Sequence, residues 1–200
     1  MSFFGSIPAP APEPSHRRPR PFWERSEVVI PGSVPADLVL VRTDRAAVAV
    51  GSVRAYPNGF QFTVHTRLRT EDETNGPFMG DPFERHWRGR AAPDDGLRLG
   101  ILYADGRRAA TTGGPAPHAR EPGDLILQQG GGGGSSLSYE TDFWVHPLPP
   151  DGPVTLVVSW LARGITEARA DVDGAAIRQA ARRAITLWPE EPEPESGETI

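Results

Sequence analysis

Cysteine and lysine are both absent from these 200 residues, and no run of 18 apolar residues occurs. Each absence closes a chemistry. Without a thiol there is no thiolate nucleophile and no Cys-type zinc site. Without lysine there is no Schiff base on the chain and no phosphate-loop lysine. Pyridoxal enzymes, P-loop NTPases, protein kinases, Cys proteases and zinc fingers are thereby excluded. All 21 basic residues are arginine, as a GC-rich coding bias would produce. The lack of a long apolar run excludes a transmembrane helix. Met1 to Pro14 has neither a basic start nor a useful apolar stretch, so no secretory leader is expected and the cytoplasm is the expected location.

What is present is glycine and proline, 22 of each, against a hydrophobic share of 38%. Such a composition suits many short strands joined by turns, with the remainder in tails. Net charge is −5 but unevenly placed. Residues 1–21 are Pro-rich and carry +2 through Arg17, Arg18 and Arg20 against Glu13, and 189–200 carry −5 in glutamates. Both read as disordered tails around a domain spanning 22–188. The mildly acidic body is poor material for nucleic-acid binding, which draws on clustered positive charge.

Strand signals fill that domain. Val28–Ile30 and Asp37–Thr43 are followed by Ala46–Tyr56 and Phe60–Arg69, which flank Pro57-Asn58-Gly59. Asn-Gly suggests a type I′ hairpin turn with two positive φ angles. Phe60, Phe62, Val64, Thr66 and Leu68 alternate with Gln61, Thr63, His65 and Arg67, the pattern of a strand with one face on a core. A second hairpin runs from Leu97 to Thr112 around Asp105-Gly106. Leu125–Gln129 reads as a short strand ending in the loop Gly130–Gly134. Beyond it Leu137, Tyr139, Thr141, Phe143 and Val145 alternate with Ser138, Glu140, Asp142, Trp144 and His146. Val154–Trp160 is nearly continuous apolar sequence and belongs in the centre of a sheet. Ile165–Val172 closes the strands, and one short helix follows, capped by Asp173, with Ala176, Ile177, Ala180, Ala181 and Ala184 at helical spacing. The expected fold is all-β: a two-sheet antiparallel sandwich, Greek-key or jelly-roll-like, with one short C-terminal helix.

The glycine run, the segment DFWVHPLPPDGP, the strand VTLVVSW and the stretch LRLGILYADGRRAATT carry a resemblance. Together they are similar to a group of uncharacterised β-sandwich proteins of GC-rich bacteria in which a Gly-rich loop precedes a W-x-x-PLPP segment. The resemblance covers about half the chain, and it implies the fold and no site residues.

Candidate sites are few. The glycine run precedes a strand and has no lysine, so it is no phosphate-binding loop. The five histidines show neither H-E-x-x-H nor H-x-H spacing, so neither a metal site nor a cofactor is expected. No G-x-S-x-G elbow occurs. The 25-residue segment Glu71–Asp95 is too long for a plain connection. It carries Phe78, Phe83, Arg85, Trp87 and Arg88, residue types that anchor interfaces, and equally a set of aromatics that could fold back as a lid. Glu140 and Asp142, two apart on one strand, share a face with Trp144, and paired carboxylates are what a retaining glycosidase uses. Two functions follow. One is a non-catalytic binding or assembly module for a protein or small ligand, acting through the 71–95 loop and the Trp144 face. The alternative is a carbohydrate-active enzyme using Glu140 and Asp142.

Overall fold

The computed structural model describes residues 20–70, 82–83, 96–111 and 123–189. The two tails, up to residue 19 and from 190, lie outside these residues, as do Phe78, Arg85, Trp87 and Arg88. In chain order the strands are β1 (Val29–Ile30), β2 (Gly32–Ser33), β3 (Leu38–Arg42), β4 (Ala46–Tyr56), β5 (Gly59–Leu68), β6 (Arg98–Tyr103), β7 (Arg108–Ala110), β8 (Ile126–Gly134), β9 (Ser138–His146), β10 (Pro153–Trp160), β11 (Ile165–Asp173) and β12 (Ile185–Thr186), with helix α1 (Gly174–Ala181) before the last.

Among the described residues the architecture is all-β, with three antiparallel sheets and one short α-helix. The largest sheet runs β2-β4-β5-β9-β8, with β3 also pairing β4. The second runs β11-β10-β6-β7, and β1 with β12 makes a two-stranded third. β10 is central, between β11 and β6, as its apolar sequence suggests. Among the described residues no helix is long and apolar enough to cross a membrane.

One core cluster collects inward side chains from both larger sheets. Val48, Val50, Phe62, Val64, Phe143 and Val145 come from one, and Leu99, Ile101, Val154, Leu156 and Val158 from the other. Each Val, Leu, Ile or Phe so buried contributes roughly 1.5–3 kcal/mol relative to exposure. Phe60, Phe62 and Phe143 form a stacked ladder with centroids 6.1 and 5.7 Å apart. Helix α1 seats Ile177 and Ala180 in the same cluster, and Asp173 caps it by accepting from the Ala175 N–H at 2.8 Å.

Three local expectations are corrected. The β4–β5 turn is not type I′: Tyr56 pairs with Gly59, and neither Asn58 nor Gly59 has a positive φ. Pro57 occupies the first turn position, and its ring holds φ near −65°, which a primed turn forbids. Gly59 is needed for another reason, since a Cβ there would meet the Val145 carbonyl and lie 2.7 Å from the Trp144 ring. Gly130–Gly134 is not a loop but the end of strand β8, paired to β9 through Gly132, Gly133 and Gly134 around an extra residue between Gln129 and Gly132. A Cβ at Gly132 would lie 2.7 Å from the Glu140 carbonyl, and one at Gly134 would run into that of Ser138. Close backbone approach accounts for those two glycines. Finally, the alternation along β9 puts His146 with Glu140 and Asp142 on the side expected to face solvent; it keeps that face but is buried there.

Candidate functional site

β5 and β9 pair antiparallel in the middle of the six-stranded sheet, and their register assembles the site. Thr63 lies opposite Asp142, His65 opposite Glu140, and Gln61 opposite Trp144. Cross-strand partners share a face, so all six side chains leave the sheet away from the core. Two strands 75 to 81 residues apart in sequence thus supply one polar patch.

Asp142 is held at both oxygens. Gln61 Nε2 donates to Oδ2 at 2.8 Å and the Thr63 hydroxyl donates to Oδ1 at 2.7 Å. Both donors are neutral and buried, Gln61 to 3% exposure and Thr63 to 7%. One row along, Arg67 donates to Glu140 Oε1 at 2.9 Å, and His65 Nδ1 lies 3.1 Å from the same atom. These hydrogen bonds, Arg67 first and His65 second, hold the Glu140 carboxyl below its ordinary range. At the β4 side of this row Gly51 leaves room for Asp37 Oδ1 and His65 Nε2, 3.0 and 3.2 Å from where a Cβ would sit.

The other end of the face is covered by the chain itself. Residues 20–28 cross it ahead of β1. The Trp144 indole N–H donates to the Trp23 carbonyl at 2.7 Å, and Asn58 Nδ2 donates to the Phe22 and Glu24 carbonyls at 3.0 and 2.7 Å. Val28, at the end of this strap, joins Val29, Tyr56 and Trp144 in a second apolar cluster. Phe22 packs edge-on against His146, whose Nδ1 lies 2.7 Å from the Asn58 carbonyl. Burial lowers the His146 pKa below its ordinary value, the Asn58 bond opposing that more weakly. Between strap and sheet a cleft of about 400 Å³ is lined by Arg20, Arg25, Gln61, Gln128, Asp142 and Trp144, among others.

Of the residues singled out from sequence, Glu140 and Asp142 come together on one face, each held by its own pair of partners on β5. Trp144 is 7% exposed, so its ring is a wall of the cleft more than an open platform. Phe83 is a core residue, its ring edge-on to Phe143 at 4.9 Å, which puts that one loop aromatic in the folded-back position. Gln61, Thr63, His65, Arg67 and Arg25 are the additions. Period-two alternation assigns the first four to one face, but which strand they oppose is set by pairing across the sheet.

Chemically the patch offers two carboxyls one strand-repeat apart, a separation near 7 Å along β9. Glu140 is held as the anion, and Asp142 is oriented by neutral donors. Among the described residues no group of three or more His, Asp and Glu is placed to hold a metal ion. No family model matches the chain, and no curated protein and no solved structure matches it.

Proposed function

We propose that the outer face of the six-stranded sheet is a carbohydrate site, and that this chain acts on or binds a saccharide through Asp142 and Glu140. The observation that carries the reading is the Asp142 carboxylate on the wall of the 400 Å³ cleft, held there by Gln61 and Thr63. A carboxylate already oriented by two neutral donors keeps lone pairs for ligand hydroxyls, and Gln128 adds an amide donor and acceptor beside it. Sugars present such hydroxyls in fixed pairs, and polar groups held in advance cost little to order on binding. The two larger sheets share one core cluster, which supports reading the fold as a two-sheet sandwich, with this site on the outside of one sheet.

Hydrolysis is the second reading, favoured by Glu140. Its hydrogen bonds to Arg67 and His65 keep it ionised, as a catalytic base must be. A spacing of about 7 Å along β9 suits an inverting pair with room for a water, not the closer retaining pair, and the acid would then have to be its neighbour Asp142. Calorimetric titration with cellohexaose, xylohexaose, laminarihexaose, mannohexaose and chitohexaose tests both. Asp142→Asn should weaken the best ligand by about tenfold or more, the worth of a charge-assisted hydrogen bond. Glu140→Gln should keep binding, and should abolish any turnover the wild type shows. A wild-type protein that binds none of these sugars, or an Asp142→Asn protein that binds them unchanged, would remove the site from consideration.

A further inference from the structure

The Arg25 guanidinium, the Gln61 amide and the Asp142 carboxylate form one hydrogen-bonded line. Arg25 NH1 donates to Gln61 Oε1 at 2.6 Å, and Gln61 Nε2 donates to Asp142 Oδ2 at 2.8 Å. The two ends of a glutamine amide have nearly the same shape, so its orientation is decided by its partners. Here both partners decide alike: the cation takes the oxygen and the anion takes the NH2. In the reverse orientation a buried amide would set N–H against N–H and carbonyl against carboxylate. Opposite charges at the two ends polarise the amide and strengthen both bonds.

Arg25 does not belong to the sheet. It sits on the strap, which is braced internally by the Arg20 guanidinium: Arg20 donates to the Arg25 carbonyl at 2.7 Å and pairs with Glu27. We propose that Arg25 is a positioning residue of the Asp142 site, so that docking of the N-terminal strap sets the polarity of Gln61 and, through it, the orientation of the carboxylate. The coupling is reciprocal by linkage. A ligand engaging Asp142 holds the strap down, and a strap that lifts weakens the ligand. The affinity arm of the test rests on the carbohydrate reading, whereas its spectroscopic arm reads the chain alone.

The experiment follows the side-chain NH2 resonances of Gln61 and their hydrogen exchange in the full chain, for the wild type, Arg25→Ala, Arg25→Glu and Arg25→Lys. Arg25→Ala and Arg25→Glu should shift the resonances and speed exchange of the proton facing Asp142 by about tenfold, the factor that loss of one charge-assisted bond carries. Arg25→Lys, which still donates to Oε1, should restore both. Affinity for the best hexasaccharide should fall and recover in the same order. Unchanged Gln61 exchange in the alanine and glutamate proteins overturns the proposal. So does a loss that lysine fails to restore, since that assigns the effect to strap packing and not to charge. If no hexasaccharide binds, the carbohydrate function falls and the Gln61 exchange alone decides the role of Arg25.

Discussion

The outward faces of the two larger sheets obey the same alternation and meet different fates. On the four-stranded sheet, outward polar residues satisfy one another locally. Thr155 donates to Asp171 across β10 and β11 at 2.6 Å, and Arg169 pairs with Glu167 on its own strand at 2.8 Å. These groups stay in water, where such pairs contribute little. On the six-stranded sheet, polar side chains at equivalent positions are buried: Gln61, Thr63 and His146. Their hydrogen bonds are therefore obligatory, because an unmet buried donor or acceptor costs its desolvation. What separates the two faces is the strap at residues 20–28. A strand pattern says which way a side chain points, and only a neighbouring segment says whether it meets solvent there.

The largest test compares the two sides of one strand. Phe143→Ala, on the inner side of β9, should cost about 3–5 kcal/mol in urea unfolding, as large aromatic truncations do in packed cores. A loss under about 1 kcal/mol would mean that the core does not close around β9.

The next tests the cover itself. Gly59→Val should cost roughly 1–3 kcal/mol, because the added atoms meet the Val145 carbonyl and the Trp144 ring and must displace backbone or strap. No change in midpoint would show that the strap yields freely. Trp144→Phe keeps most of the packing and removes the indole N–H, so about 1 kcal/mol is expected, together with a change in Trp23 fluorescence as the strap loosens.

A pH titration sharpens the contrast without mutation. Burial lowers the His146 pKa in the folded state, so the unfolded chain binds the extra proton first. Stability from this group is complete above its ordinary value of 6.5 and is lost progressively as pH falls below it. His146→Gln should flatten that slope in the denaturation midpoint between neutral and mildly acidic pH; an undiminished slope would place its origin elsewhere. The smallest effect belongs to the open face. Arg169→Gln should change stability by under about 0.5 kcal/mol, as surface ion pairs do.

Most of the strand positions were legible. The long arms of the first hairpin lie at Ala46–Tyr56 and Gly59–Leu68, and the Asp105-Gly106 turn carries a positive φ at Gly106. The central place of β10 and the Asp173 cap also follow from local pattern. The candidate site was half legible. Glu140 and Asp142 stand out as paired acids, but their donors on β5 could not be matched to them without the β5–β9 register. The glycine run misled because flexibility and close approach call for the same residue, and composition does not distinguish them.

The amino-acid order by itself determined the all-β character, the turns that stop the strands, the helix cap and the chemistries ruled out by missing Cys and Lys. These depend on periodicity, backbone freedom and functional groups, which are properties of neighbours along the chain. Only the tertiary structure decided that β5 lies beside β9, that Gly132 and Gly134 let β8 close on the same strand, and that the N-terminal strap buries Trp144 and carries Arg25 to Gln61. Those outcomes depend on which distant segments win the competition to cover a face, and that competition is settled by the packing of the whole chain.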